Sequence, residues 1–349
     1  MRTNPTPVSF LSFDVEALPG RAATDHIDRL IWGKFDGGEF GLRRICRILK
    51  EYRLKANFML DFAMCALYGD KELAAIAHYL LEEGHEVHAH LHSEWLVRKW
   101  DIRGDWIGPA SMDRLDSRLN EAFLDYLAFK YFRIIGGIPE VFRAGGFHFN
   151  ASTIAAAGKA GFRALSNFNQ SRHASCWTLS AEAANNEPFC WQEGLLELPV
   201  DISPEPLSSP IQIYEGAFDR AARQKKTKTF NLVLHATSLL ERRDDGRYHG
   251  YSTVHEDNLH KICGHLGDRT KPMGYSEYLA ACPPLPLLRT AECNAVPLTI
   301  RSPLLSCRAC QGVYGASLKT GTCPCCGAGI LHTSGAAEEQ ADVAAPASA

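Results

Sequence analysis

From Pro7 to about Leu279, short apolar runs alternate with longer stretches of helical period, the pattern of an α/β protein built on a mainly parallel sheet. The apolar runs predict seven strands, at Val8–Phe13, Ala56–Leu60, Glu86–His90, Val141–Phe142, Phe162–Leu165, Leu195–Val200 and Asn231–Leu234. Between them the spacing predicts helices over Gly41–Tyr52, Lys71–Glu83, Met112–Phe132 and Ser152–Ala160, the first with Leu42, Ile45, Ile48 and Leu49 on one stripe. Gly84 and Gly161 follow periodic stretches at the place of helix C-caps. Polar residues close the strands in turn: Asp14, Asp61, His90, Arg143, Ser166 with Asn167, Asp201 and His235. In a barrel of parallel strands that end carries the site, because the connections there converge on one mouth.

The pattern changes after Cys282. Pro283–Leu288 is Pro-rich and cannot continue a helix, so 283–300 reads as a linker and 1–282 as the main domain. A Cys-rich module follows over 301–333, and 334–349, rich in Ala, Glu and Pro, reads as a disordered tail. With 46% hydrophobic and 22% charged residues the chain is ordinary for a folded protein, and a net charge of −3 gives no broad surface for nucleic acid. The apolar run before Asp14 is too short for a signal-peptide core, and none approaches the roughly 18 residues of a membrane span. The chain is therefore expected to be soluble and cytoplasmic, where clustered cysteines act as metal ligands rather than disulfides.

The 12 Cys and 14 His gather in places. Asp14 and Glu16, two apart on an extended backbone, share a face, so one could bind a metal while the other acts as a base. His85, His88, His90 and His92 fall within eight residues, and alternation puts the last three on one face, with Glu94 four after His90. Arg143 stands before Gly145 and Gly146 and could hold a carboxylate in two-point contact. His235 ends an apolar strand, placed to give a proton to a leaving group. In the C-terminal module Cys307-x-x-Cys310 and Cys323-x-x-Cys326, twelve residues apart, have the spacing of a zinc ribbon, a closed four-thiolate structural site. Cys325 is spare, and the other seven cysteines read as small apolar side chains.

The order of the first four motifs, Asp-x-Glu, Gly-His-Glu-Val with its histidines, Arg-x-Gly-Gly and Leu-x-Leu-His, resembles the NodB-homology polysaccharide deacetylases over roughly residues 7–281. The resemblance implies a distorted (β/α)7 TIM-like barrel, here joined to a small C-terminal zinc ribbon, and a hydrolase that removes acetyl groups from sugars with one divalent metal. It casts Asp14 as catalytic base, Glu16 as metal-binding acid, His90 as the first metal histidine, Arg143 as the residue orienting the base, His235 as general acid and Asp201 as the group holding that acid. The family pattern has histidine where this chain has Glu94. Three arrangements follow: Glu94 ligates, or His92 turns in from two residues away, or the metal site is degraded. Zinc stands first among the divalent ions, although a more oxygen-rich set would favour others. The implied substrate is an N-acetylated sugar, as a sugar nucleotide or lipid-linked glycan, in surface polysaccharide or lipopolysaccharide biosynthesis. The rival readings are hydrolysis of a non-sugar amide or imide, and a catalytically inactive glycan-binding scaffold.

Overall fold

The computed structural model describes residues 6–105, 108–173, 185–191 and 194–281, together with 299–300, 304–309, 313–315, 322–323, 328 and 332–334. Its principal sheet contains β1 (Val8–Val15), β2 (Asn57–Asp61), β3 (Glu86–Leu91), β4 (Val141–Ala144), β5 (Ala164–Leu165), β6 (Phe189–Cys190), β7 (Leu196–Glu197), β8 (Thr229–His235) and β9 (Lys271–Pro272). Their order is β8-β1-β2-β3-β4-β5-β7-β6, with β9 also paired to β1; β6 alone runs antiparallel. Each of the seven expected strands has its counterpart. The ladders form a curled parallel sheet, a half-barrel, and the segment after β7 reaches β8 through one parallel bridge between Ile202 and Leu232. There Asp201 N–H donates to Asn231 O at 2.9 Å and Val233 N–H to Ile202 O at 3.0 Å.

Alternation along the strands separates two environments. Leu11, Phe13 and Val15 of β1, Phe58 and Leu60 of β2, Val87, Ala89 and Leu91 of β3, Phe142 of β4 and Leu232 and Leu234 of β8 belong to the outer core under the helices. Residues of the opposite parity face the concave side. At its closed end Phe10, Met59, Val141 and Ala164 pack with Leu198, Met273 and Tyr275. Further along the same faces the residues are polar: Ser12, Asp14, Asp61, His88, His90, Arg143 and Asn231, all buried. Parallel register brings their ends level, since Asp14 pairs with His235, Asp61 with His90, and His90 with Arg143.

The helices follow the sequence pattern with one break. Helix α1 (Leu42–Glu51) buries its predicted stripe, and Gly84 and Gly161 take positive φ at the ends of helical stretches, as C-caps do. The single helix expected over Met112–Phe132 is instead a 3-10 turn, Met112–Arg114, followed by a helix over Ser117–Ile135. Asp116 starts that second helix by accepting from Leu119 N–H at 2.9 Å, and Leu115 before it is extended. A periodic pattern carries across such a break because both segments bury the same face.

The C-terminal segment packs on the barrel. Thr299–Ile300, inside the expected linker, pairs antiparallel with Gly104–Asp105. Leu304–Ser306 lies between Val313–Gly315 and His332–Ser334 in a three-stranded antiparallel sheet, so Ser334, expected in the tail, is paired to Leu304. Tyr314, Cys307 and Cys323 are buried in the main core, and the Tyr314 ring meets Trp100 with centroids 5.6 Å apart. Cys310, Cys325, Cys326, residues 283–298 of the linker and 335–349 of the tail lie outside the described residues. Among the described residues, no helix is long and apolar enough to cross a membrane.

One fold-level consequence is measurable at His85. Its ring packs on Phe58 and accepts from Ala56 N–H, and burial pushes its pKa down to about 4. A histidine held neutral in the native state contributes stability that is complete above the unfolded pKa of about 6.5 and lost as pH falls toward 4. Urea unfolding at pH 7.5 and 5.0 is expected to show about 2 kcal/mol more loss in the wild type than in His85→Gln. Equal losses in the two proteins would contradict this.

Candidate active site and metal centre

Glu16, His90 and His92 bring one ligand atom each to within 4.8 Å of one another, and all three are buried. His90, on the concave face of β3, donates from Nδ1 to the Arg143 carbonyl at 2.9 Å. That bond turns the ring so that Nε2, without a hydrogen bond, lies 3.4 Å from Glu16 Oε2. His92 caps helix α2 (Ser93–Lys99) with an extended backbone, which keeps it on the same side as His90. Its Nε2 is 2.6 Å from Glu16 Oε2 and its Nδ1 is 2.6 Å from Glu94 Oε1. The structure thus gathers Glu16, His90 and His92 and stands Glu94 behind His92, on the far ring nitrogen.

Three neighbours set this geometry. A Cβ on Gly145 would lie 2.6 Å from His92 Nδ1, so the first glycine after Ala144 is the space the imidazole occupies. Asp61 Oδ1 accepts from His92 N–H at 3.2 Å and Ala63 N–H at 2.9 Å, tying the end of β3 to the end of β2. Arg21 forms an ion pair with Glu16. Burial opposes charge on both groups, yet the pair with Glu16 raises the His92 pKa well above the usual imidazole value, and His92 and His90 hold Glu16 well below the usual carboxylate value.

The site fits a divalent ion on its own geometry. Two imidazoles, each anchored through its other nitrogen, and one carboxylate form a His2Glu set of the kind that binds catalytic zinc with a position left open. The unpartnered Nε2 of buried His90 is the atom such an ion would satisfy.

Beside this set, Arg143 is wholly buried and spends its donors on named acceptors. Nη1 donates to Asp14 Oδ1 at 2.6 Å; Nη2 donates to Ser12 Oγ, Ser166 Oγ and the Tyr275 hydroxyl at 3.0, 2.9 and 2.9 Å; Nε donates to the Ser166 carbonyl at 3.1 Å. Burial alone would raise the Asp14 pKa, but Arg143, with His90 and His235, brings it below the usual value. Asp14 is therefore a fixed, ionised carboxylate at neutral pH.

His235 faces Glu16 from β8, its Nε2 3.8 Å from Oε1. Its Nδ1 pairs with Glu205 at 2.6 Å, and its backbone N–H donates to Ser238 Oγ at 2.8 Å. Burial lowers the pKa of His235, but Glu205 more than offsets this and raises it to about 9. Asp201, expected to hold His235, instead meets Lys225 Nζ at 2.7 Å and accepts from Asn231 N–H at 2.9 Å and Asn186 Nδ2 at 3.1 Å. Those contacts fasten the segment after β7 to β8. Glu205 escapes a sequence reading because it lies in a loop between Pro204 and Pro206, off the strand ends; its only signal is a carboxylate among prolines.

No protein-family model and no curated protein matches the chain. Solved structures do. They include a protein assigned as a polysaccharide deacetylase of Mycobacterium smegmatis, 16% identical over 80% of this chain and 91% of that one, with a TM-score of 0.49. The 4-alpha-glucanotransferase of Thermococcus litoralis is 13% identical over 82% of this chain and 42% of that chain, with a TM-score of 0.54. The Xyl-CE4 domain of a multidomain xylanase from the hindgut metagenome of Trinervitermes trinervoides is 12% identical over 84% of this chain and 100% of that one, at 0.41. The likeness to the glucanotransferase is one of fold, and it spans less than half of that protein.

The donor geometry makes a direct prediction. In Zn²⁺ competition titrations, Glu16→Gln and His92→Ala are each expected to lose one bound ion per chain relative to wild type. Glu94→Gln is expected to keep the ion but bind it about 10–100-fold more weakly, the usual cost of removing an acid behind a metal histidine. An unchanged affinity in Glu94→Gln would remove that residue from the site.

Proposed function

We propose that the chain is a metal-dependent hydrolase that removes the acetyl group of an N-acetylated sugar. The observation that carries this reading is the flanking of one donor set by two groups of opposite protonation: ionised Asp14 on Arg143 and imidazolium His235 on Glu205. A divalent ion held by Glu16, His90 and His92, with zinc the first choice for this donor set, would polarise an acetyl carbonyl and acidify a water. Asp14 then accepts the proton of the attacking water, and Arg143 keeps its carboxylate oriented. His235, still protonated at neutral pH, gives its proton to the departing sugar nitrogen, so that acetate and a free amine result. Glu205 keeps the imidazole charged and turned with Nε2 toward the reacting group.

The resemblance of the four ordered motifs supports a sugar as the acetyl carrier, and it is the support for a place in surface polysaccharide or lipopolysaccharide assembly. We further propose that Cys307, Cys310, Cys323 and Cys326 hold a structural zinc; the burial of Cys307 and Cys323 against the barrel core supports it.

The test is acetate release from a panel of N-acetylhexosamine sugars, sugar nucleotides and lipid-linked glycans by metal-loaded protein. Asp14→Asn and His235→Gln are each expected to lower kcat/KM by about 10²–10⁴. No acetate from any member of the panel overturns the reading, and an opened ring without acetate would favour a non-sugar amide or imide. In the pH profile, the His235 pKa of about 9 places loss of the proton donor on the alkaline side. Glu205→Gln removes the charge that raises it, so the alkaline limb is expected to move to lower pH.

A further inference from the structure

Glu197, the end of β7, is a wholly buried carboxylate that the proposed chemistry does not use. Leu196 packs at the closed end of the concave face, so by parity Glu197 points to the other side of the sheet. Aromatic rings crowd that side: Phe168 meets Phe189 at 5.5 Å and Phe189 meets Trp191 at 4.8 Å between centroids. A carboxylate in such surroundings is costly unless it is hydrogen-bonded, and Glu197 has three donors. Its Oε1 accepts from the backbone N–H groups of Asn167 and Phe168 at 2.8 and 2.9 Å, and its Oε2 accepts from Trp191 Nε1 at 2.9 Å. Burial still pushes its pKa up to about 7, against the pull of those donors and of Arg143.

Two of those bonds fall on the segment that holds Arg143. Ser166 gives the guanidinium two acceptors, its carbonyl to Nε at 3.1 Å and its Oγ to Nη2 at 2.9 Å. The Ser166 carbonyl and the Asn167 N–H belong to one peptide group, which is planar and points the two in opposite directions. Glu197 on one side and Arg143 on the other therefore set the plane between them. An unbroken path runs from Glu197 Oε1 through a single peptide group to Arg143 Nε, and polarisation by the carboxylate strengthens the bond at its far end. Asn167 is tied to the arginine's own strand as well, because its Oδ1 accepts from Ala144 N–H at 2.7 Å.

We propose that Glu197 is a positioning residue for the pair of Arg143 and Asp14: through the Ser166–Asn167 peptide it aims the carbonyl that pins Arg143 Nε, and the pinned guanidinium presents Nη1 to Asp14. Its part in catalysis rests on the hydrolase proposed above, whereas the pinning is measurable without any reaction. The Arg143 Nε–H resonance in ¹⁵N-resolved NMR, identified by its loss in Arg143→Lys, reads it directly. In Glu197→Ala that proton is expected to exchange with water about tenfold faster or more. Glu197→Gln covers the case in which the alanine chain does not fold. Its amide has one acceptor oxygen for two sets of donors and turns an NH2 group toward one of them, so faster exchange is expected there also. Adding Trp191→Phe, which removes the indole donor, is expected to restore the slow exchange.

With an acetylated sugar that the wild type hydrolyses, Glu197→Ala and Glu197→Gln are expected to lower kcat about 10²-fold with KM little changed, the mark of a lost transition-state contact. The chain carrying Glu197→Gln with Trp191→Phe is expected to recover most of that loss. Wild-type exchange at Arg143 in a folded Glu197 variant overturns the proposal, as does a double variant no better than Glu197→Gln. Faster exchange with kcat unaltered, in a chain that does release acetate, overturns it too. Faster exchange that the double variant reverses, with no acetate released from any sugar by the wild type, leaves the pinning of Arg143 standing and removes the hydrolase.

Discussion

The buried pair of Arg143 and Asp14 is the constraint around which the concave side of the sheet is arranged. A guanidinium out of water is costly unless its donors are met, and an unpaired carboxylate beside it would be worse. Here β1 supplies Asp14 and Ser12, the run after β5 supplies Ser166, and the C-terminal helix Tyr275–Ala281 supplies the Tyr275 hydroxyl. The Tyr275 hydroxyl in turn donates a hydrogen bond to Asn231 Oδ1 on β8, so one cation reads the position of four distant chain segments. The backbone carbonyl of the same arginine holds His90 Nδ1. Asp14, His90 and the contact to β8 therefore share one anchor, and a change in strand register would disturb all three.

Much of this was legible in the sequence because strand parity leaves a strong imprint. Ser12, Asp14 and Glu16 alternate with Phe13 and Val15, and His88, His90 and His92 alternate with Ala89 and Leu91; apolar residues went outward and titratable ones inward. The same rule explains the histidine expected at position 94. By parity His92 faces inward, and the helix that starts at Ser93 turns Glu94 back onto the imidazole instead. Glu205 and Arg21 were not legible, because loops have no period and their side chains reach the site through tertiary contacts alone. Nor was the break at Leu115, where two helical segments with one buried face read as a single helix.

Gly145 shows how a short motif can carry more than one meaning. Glycines beside Arg143 suggest close approach of backbone to a ligand, and close approach is what the structure has, but to the His92 ring. The residue makes room for the His92 ring from the end of the strand that bears the arginine. Two motifs more than fifty residues apart thus depend on each other through the absence of one methyl group.

The packing of Tyr314 on Trp100 bears on how the chain is made. Trp100 closes the helix that contains Glu94, and it lies among Phe123, Tyr126 and Tyr314. The first two rings leave the ribosome shortly after it, whereas Tyr314 follows by roughly 200 residues, a delay on the order of 10–40 s at ordinary rates of synthesis. The barrel strands can assemble in that interval with one side of Trp100 still bare. A nascent chain would thus carry the concave mouth of its sheet nearly complete while the outer face of the helix behind it awaits cover by the C-terminal segment.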